Sequence, residues 1–182
     1  NQLRDITLSR PFATLCGYTQ QDLETTFAAH LDGVDWAQLK HWYNGYQFLG
    51  EPVYNPFDIL RFISEGLEFR NYWFESGSPS FLLKLFRREP FFLPSVESLN
   101  VTEDILNSFE IDRINPVTLL FQTGYLTVAD MQPRRGRMMF RLRIPNHEVR
   151  LALNDQLITA YTEIDTSRSQ WQDGLYDALA NG

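Results

Sequence analysis

One cysteine, Cys16, leaves the chain without any internal disulfide and fits a reducing compartment. As a nucleophile it would need a base, and only His30 and His41 share its half of the chain, so a buried structural thiol is expected. Histidine is equally scarce. His30, His41 and His147 have no Cys or His companion at metal-ligand spacing, so no metal site is predicted. The two lysines, Lys40 and Lys84, lack glycine-rich surroundings, and no G-x-x-x-x-G-K-[ST] string occurs. No apolar strand ends in an acidic pair suited to Mg²⁺. Autonomous phosphoryl transfer is therefore excluded as an expectation, and no catalytic residue is assigned. Gly77-Ser78-Pro79 starts a helix and is no nucleophile elbow, because proline follows the serine directly. No stretch approaches the roughly 18 apolar residues of a membrane helix. The first residues lack a signal-peptide layout, so a cytoplasmic protein with no membrane partner is expected. With no initiator methionine, the chain is expected to be a piece of something longer.

What is present is ordinary in bulk and uneven in detail. Of the 182 residues, 43% are hydrophobic and 21% charged, enough for one medium domain or two small ones. Aromatics reach 14%, so large rings supply much of the buried area. The net charge of −7 opposes nonspecific nucleic-acid binding by the chain as a whole. Yet Arg134, Arg135, Arg137, Arg141, Arg143 and Arg150 crowd one stretch against a single acid, Glu148. Glu97, Glu103, Asp104, Glu110 and Asp112 lie elsewhere, and the paired acids Glu103 with Asp104 and Glu110 with Asp112 are expected on solvated helix faces.

Helix starts are legible. Thr19 to Asp22 forms a capping box ahead of Leu23, Phe27 and Leu31 at helical spacing. Asp35 opens a short helix that ends with Tyr43, where Asn44-Gly45 turns the chain. Tyr46 to Tyr54 is expected as a tight loop or small hairpin. Asn55-Pro56 pairs an N-cap with an N1 proline, and the helix carries Phe57, Leu60 and Ile63 before Gly66. Ser78-Pro79 repeats the device before Phe81, Leu82, Leu85 and Phe86, and Pro90 and Pro94 follow. The Asn100-Val101-Thr102 sequon is expected as a helix start leading to Ile105, Leu106 and Phe109. Asn115-Pro116 opens a helix burying Leu119 and Leu120 and ending at Gly124.

Beyond Gly124 the period changes. Tyr125 to Ala129 predicts a strand, and Met138 to Ile144 another, with Arg141 and Arg143 on the face opposite Phe140, Leu142 and Ile144. Pro133 to Arg137 is a basic turn between them. Asn146 caps a last long helix whose Val149, Leu153, Leu157, Ile158 and Tyr161 face inward. Helix, strand, basic loop, strand is the order of a winged helix-turn-helix. Asp165 to Gln170 is a polar linker leading to an isolated segment around Trp171, Leu175 and Leu179. The fold class expected is mainly α with a small β-hairpin.

Five strings in order, "FATLCGYTQQDL", "LKHWYNGYQFLGEPVYNPFDILRFI", "NYWFESGSPSFLLKLF", "LLFQTGYLTV" and "IPNHEV", resemble the predicted AAA-ATPase-like family of bacteria. The resemblance is colinear from about Leu3 to about Tyr161. It implies a helical lid-like bundle over residues 1–99, a winged-helix-like module over 100–164, and a linker with the start of a truncated segment over 165–182. It implies a parent protein in which an ATPase core, with ATP and Mg²⁺, lies upstream and a PD-(D/E)XK nuclease-like domain downstream. No cofactor or phosphate-binding residue is carried onto this chain, although Arg61 or Arg70 could reach a nucleotide from a lid.

The first functional expectation is thus a non-catalytic segment that couples nucleotide state to its neighbours. The alternative is DNA contact through the basic hairpin, with Arg134, Arg135, Arg137, Arg141 and Arg143 on phosphates. The helix that would enter a groove, 115–123, is mostly apolar, which argues against base readout. Trp42, Tyr43, Asn44, Gly45 and Tyr46, with Asn55 and Pro56, are expected to form a packed structural connector and not a base-stacking platform.

Overall fold

The computed structural model describes residues 5–75, 99–106 and 115–162. The chain divides into two compact units, Asn1–Ser78 with Phe92–Leu153, and Pro79–Phe91 with Asn154–Gly182. Every element below belongs to the first, apart from the residues of the last helix beyond Leu153. The expectations placed on 76–98, on 107–114 and beyond 162 lie outside the described residues.

Local sequence sets the helix starts. In α1 (Gln20–Thr26) the Thr19 side chain accepts from the Asp22 N–H while Asp22 accepts from the Thr19 N–H, a complete capping box. Asp35 caps α2 (Trp36–Tyr43) by accepting from the Gln38 N–H at 3.0 Å. Asn55 caps α3 (Pro56–Ser64), and Asn115 caps α6 (Pro116–Gln122), each ahead of a proline whose missing N–H is harmless there. Between these lie α4 (Tyr72–Glu75) and α5 (Glu103–Leu106), and α7 (His147–Thr162) closes the described chain.

The class expected from sequence is corrected: the described residues form a mixed α/β fold, with two antiparallel sheets among the helices and, among those residues, no helical bundle. β1 (Asn44–Tyr46) pairs with β2 (Val53–Tyr54), and Tyr18 adds a bridge to Tyr54. β3 (Leu99–Thr102) joins β4 (Thr127–Arg134) and β5 (Arg137–Arg143) in a sheet with β5 central. The expected hairpin is thus part of a three-stranded sheet, and the sequon lies in an edge strand. The small hairpin, one of the two forms expected for Tyr46 to Tyr54, is present as β1 and β2, and β3 was not expected because four residues carry no readable alternation. Each is defined instead by its pairing.

The first core gathers Leu23, Leu31, Leu39, Tyr43, Tyr54, Ile59, Phe62 and Tyr72, all essentially without solvent contact. Each such side chain contributes about 1.5–3 kcal/mol by burial. The buried face of α3 differs from the expected one. Phe57 is 45% exposed and Leu60 50% exposed, while Asp58, Ile59 and Phe62 are buried. An acid on the inner face disguised the true stripe.

Cys16 is exposed, which corrects the expectation of a buried thiol. The apolar residues of its segment do not close over it: Phe12 and Leu15 are exposed as well.

Candidate site at the convergence of the sequence motifs

Arg135 and Gly136 sit at φ 51° and 77°, the positive values that a two-residue hairpin turn of type I′ requires. Arg134 pairs with Arg137 across that turn, so the strands run to the tip. Arg134, Arg135, Arg137 and Arg141 are exposed. Arg143 is different. It is half-buried, and its guanidinium donates to the carbonyls of Gly45 (3.1 Å) and Pro145 (3.3 Å). The five arginines therefore do not form one surface. Arg61 forms an ion pair with Glu65 at 2.9 Å, and Arg70 pairs with Glu68.

That Arg143–Gly45 bond marks a junction between distant motifs. Gly45 has φ 137°, and a Cβ there would stand 2.0 Å from the Pro145 carbonyl oxygen. Only glycine allows this approach. Tyr43 is buried, and its hydroxyl donates to the Arg70 carbonyl at 2.9 Å while accepting from the Arg70 N–H at 3.0 Å. Burial raises its pKa, as it does for Tyr46 and Tyr125. Trp42 presents an edge-on contact to His147, with centroids 4.7 Å apart. The aromatic string is a packed connector holding α2 and β1 against the start of α7.

Beneath it lies a pair of acids that sequence reading did not single out. Asp58 in the first turn of α3 and Glu148 in the first turn of α7 are both 0% exposed. The partially positive N-termini of two helices favour acids at these positions. Glu148 Oε1 accepts from the Trp73 N–H at 2.9 Å, and the Asn71 amide donates to the Glu148 carbonyl at 3.3 Å. No donor among the described residues bonds either Asp58 oxygen or Glu148 Oε2 while both groups are ionised. A proton shared between the adjoining carboxyls engages one oxygen of each and reduces that deficit, since two like charges cannot both persist in a dry interior. Burial is the largest cause of the upward shift in both. Asp58 rises to about 6, with Glu148 and Asn55 pulling the other way. Glu148 rises to about 9, reinforced by the Asp58 charge. Their separation in sequence hid them; an Asp inside an apolar helix pattern was the available signal.

On the outer side of the same helix start lies a cleft of about 280 Å³. Lys40, His41 and Asn44 form one wall, and Arg143, Asn146, His147 and Arg150 the other. The His41 and His147 rings stack with centroids 4.7 Å apart at 27°. Burial, then His41 and Arg150, hold the His147 pKa below its ordinary value. A second cavity of about 280 Å³ is lined by residues including Cys16, Phe48, Asn55 and Trp73, with no Lys, Arg, Asp, Glu or His among the described residues of its wall. Among the described residues no group of three or more His, Cys, Asp or Glu is arranged to hold a metal ion.

Over 179 residues, 98% of its length, the chain is 41% identical to a protein of Azotobacter chroococcum mcd 1 described as "Uncharacterized protein in vnfD 5'region". The match covers 34% of that protein, so the chain spans about a third of the curated relative's length. No protein-family model matches the chain, and no solved structure does. Among the described residues no helix is long and apolar enough to cross a membrane.

Proposed function

We propose that this chain is a non-catalytic coupling segment of a longer, ATP-dependent protein similar to the predicted bacterial AAA-ATPase-like family. Its partners on this reading are an upstream ATPase core and a downstream nuclease-like domain, in the cytoplasm. The observation that carries the proposal is the convergence of separate motif strings on one junction: His41 to Tyr46, Asn55 to Asp58, Tyr72-Trp73 and Pro145 to Glu148. A junction that locks α2, α3 and α7 together transmits displacement between segments. Its acids, Asp58 and Glu148, are sealed from solvent, so on this reading they serve the junction and are not ligands of a nucleotide-bound Mg²⁺. In the longer protein, Tyr43→Phe and Asp58→Asn are expected to spare ATP hydrolysis while weakening its effect on the neighbouring domain. ATP turnover by the 182-residue chain itself, abolished by Asp58→Asn, would overturn this reading.

A second reading, DNA contact by the hairpin, has one favourable observation: Arg134, Arg135, Arg137 and Arg141 are all exposed. Arg143 is engaged with carbonyls, so the test uses the other four. Duplex binding with a steep salt dependence, lost when all four become glutamate, supports it. No binding at low salt removes it.

A further inference from the structure

We propose that the stacked rings of His41 and His147 form an acid-released latch between the end of α2 and the first turn of α7. The geometry is specific. The two rings lie with centroids 4.7 Å apart and planes 27° from parallel, and the Trp42 ring meets His147 edge-on, also at 4.7 Å. His41 stands in the last turn of α2, and His147 is the first residue of α7. The stack therefore ties together two helices that are far apart in sequence. Its closed form is a contact of neutral rings, and imidazole gains its charge within the physiological pH range.

Two imidazolium rings at this separation repel each other. Among the described residues, Lys40 of α2, Arg143 of β5 and Arg150 of α7 line the same cleft. Arg150 has a further interaction of its own, and His41 acts on His147 more strongly than Arg150 does. Glu148, the next residue of α7, is buried on the inner side against Asp58 and the Trp73 N–H. The start of a helix is itself unfavourable to a cation. Trp42 works the other way, because its π-system attracts a charged ring. The balance falls against the charge: burial first, then His41 and Arg150, lowers the His147 pKa. The sign follows from proton counting. The native chain binds fewer protons at His147 than the unfolded chain, so the contact is complete above the ordinary histidine range and loosens as pH falls through it. Asp58 and Glu148 shift in the opposite direction, so acid does not loosen the inner side of the same turn. Neither ATP turnover nor a neighbouring domain enters this inference, and it stands or falls apart from the coupling role.

The test is native-state hydrogen exchange of the full 182-residue chain at pH 7.5 and pH 5, each rate corrected for the intrinsic pH dependence of exchange. The reporters are the Val149 N–H, which bonds the Asn146 side chain at 3.0 Å, and the Arg150 N–H, which bonds the Asn146 carbonyl at 3.2 Å. Their opening is expected to rise about fivefold or more at pH 5. The Leu39 N–H, bonded to the Asp35 carbonyl at the start of α2, is expected to stay as it was. His41→Phe keeps a stacking ring without its charge and is expected to abolish the rise. In the same variant the His147 ring protons, followed by NMR, are expected to titrate closer to the ordinary histidine value. His41→Gln removes ring and charge together, so its opening is expected to be raised already at pH 7.5 with no further rise at pH 5. Unchanged opening of the parent chain at pH 5, an equal rise in His41→Phe, or a His147 midpoint unmoved by that substitution would sink the proposal. An equal rise at the Leu39 N–H would mean a general loosening in acid and overturn it too. Abolition of the rise by Arg150→Gln, with His41→Phe unchanged from the parent, would place the sensor on the arginine and remove the pair.

Discussion

Asp58 and Glu148 meet in the interior from the first turns of two helices, each fully buried, with the Glu148 carboxyl anchored on the Trp73 N–H. Both groups hold their protons to higher pH than they do in the unfolded chain, because burial penalises the charged forms. The sign of the stability effect follows from proton counting. Below about pH 3 both carboxyls are protonated folded or unfolded, and the pair gives no pH slope. Between there and about pH 9 the native state holds more protons, so stability falls as pH rises.

Glu148→Gln is therefore expected to flatten the decline in stability across this alkaline-going window while keeping an acceptor for the Trp73 N–H. Urea unfolding at pH 5, 7 and 9 checks it. An unchanged slope in the variant would exclude a shared proton. Glu148→Ala strands that N–H and is expected to cost about 1–3 kcal/mol.

Gly45 is expected to tolerate no side chain. Alanine there meets both the positive φ and the Pro145 carbonyl, and the strain is of order 1–3 kcal/mol before any displacement of Pro145. A lowered urea midpoint at constant m-value is the expected reading.

The observed face of α3 makes a paired prediction. Phe62→Ala removes a fully buried ring and is expected to cost about 3–5 kcal/mol. Leu60→Ala, at a half-exposed position, is expected to cost far less. Equal losses would mean that Leu60 is covered in solution.

Asn55→Ala removes the acceptor for the Phe57 N–H, which lies 3.0 Å from it, and is expected to cost about 1 kcal/mol. Asn115→Ala, where the Val117 N–H loses its acceptor, should cost a similar amount. Thermal unfolding of both variants gives the comparison. A much larger loss at Asn55 would reveal its side-chain contact with Asp58 as the greater contribution.

Much of the local structure was legible because its causes are local. Thr19, Asp35, Asn55 and Asn115 each bond an N–H two or three residues away, so the residue order alone determined those helix starts. The hairpin of β4 and β5 was legible for the same reason, through period-two alternation closed by Arg135-Gly136. Tertiary structure decided the rest. Strands as short as Val53–Tyr54 exist only through their partners. The inward turn of Asp58 depends on Glu148, and the division of the arginines into an exposed hairpin and a half-buried Arg143 depends on where Gly45 and Pro145 offer carbonyls. Caps and alternation are written within a few residues of chain. Proton sharing and cleft walls require groups that only packing brings together.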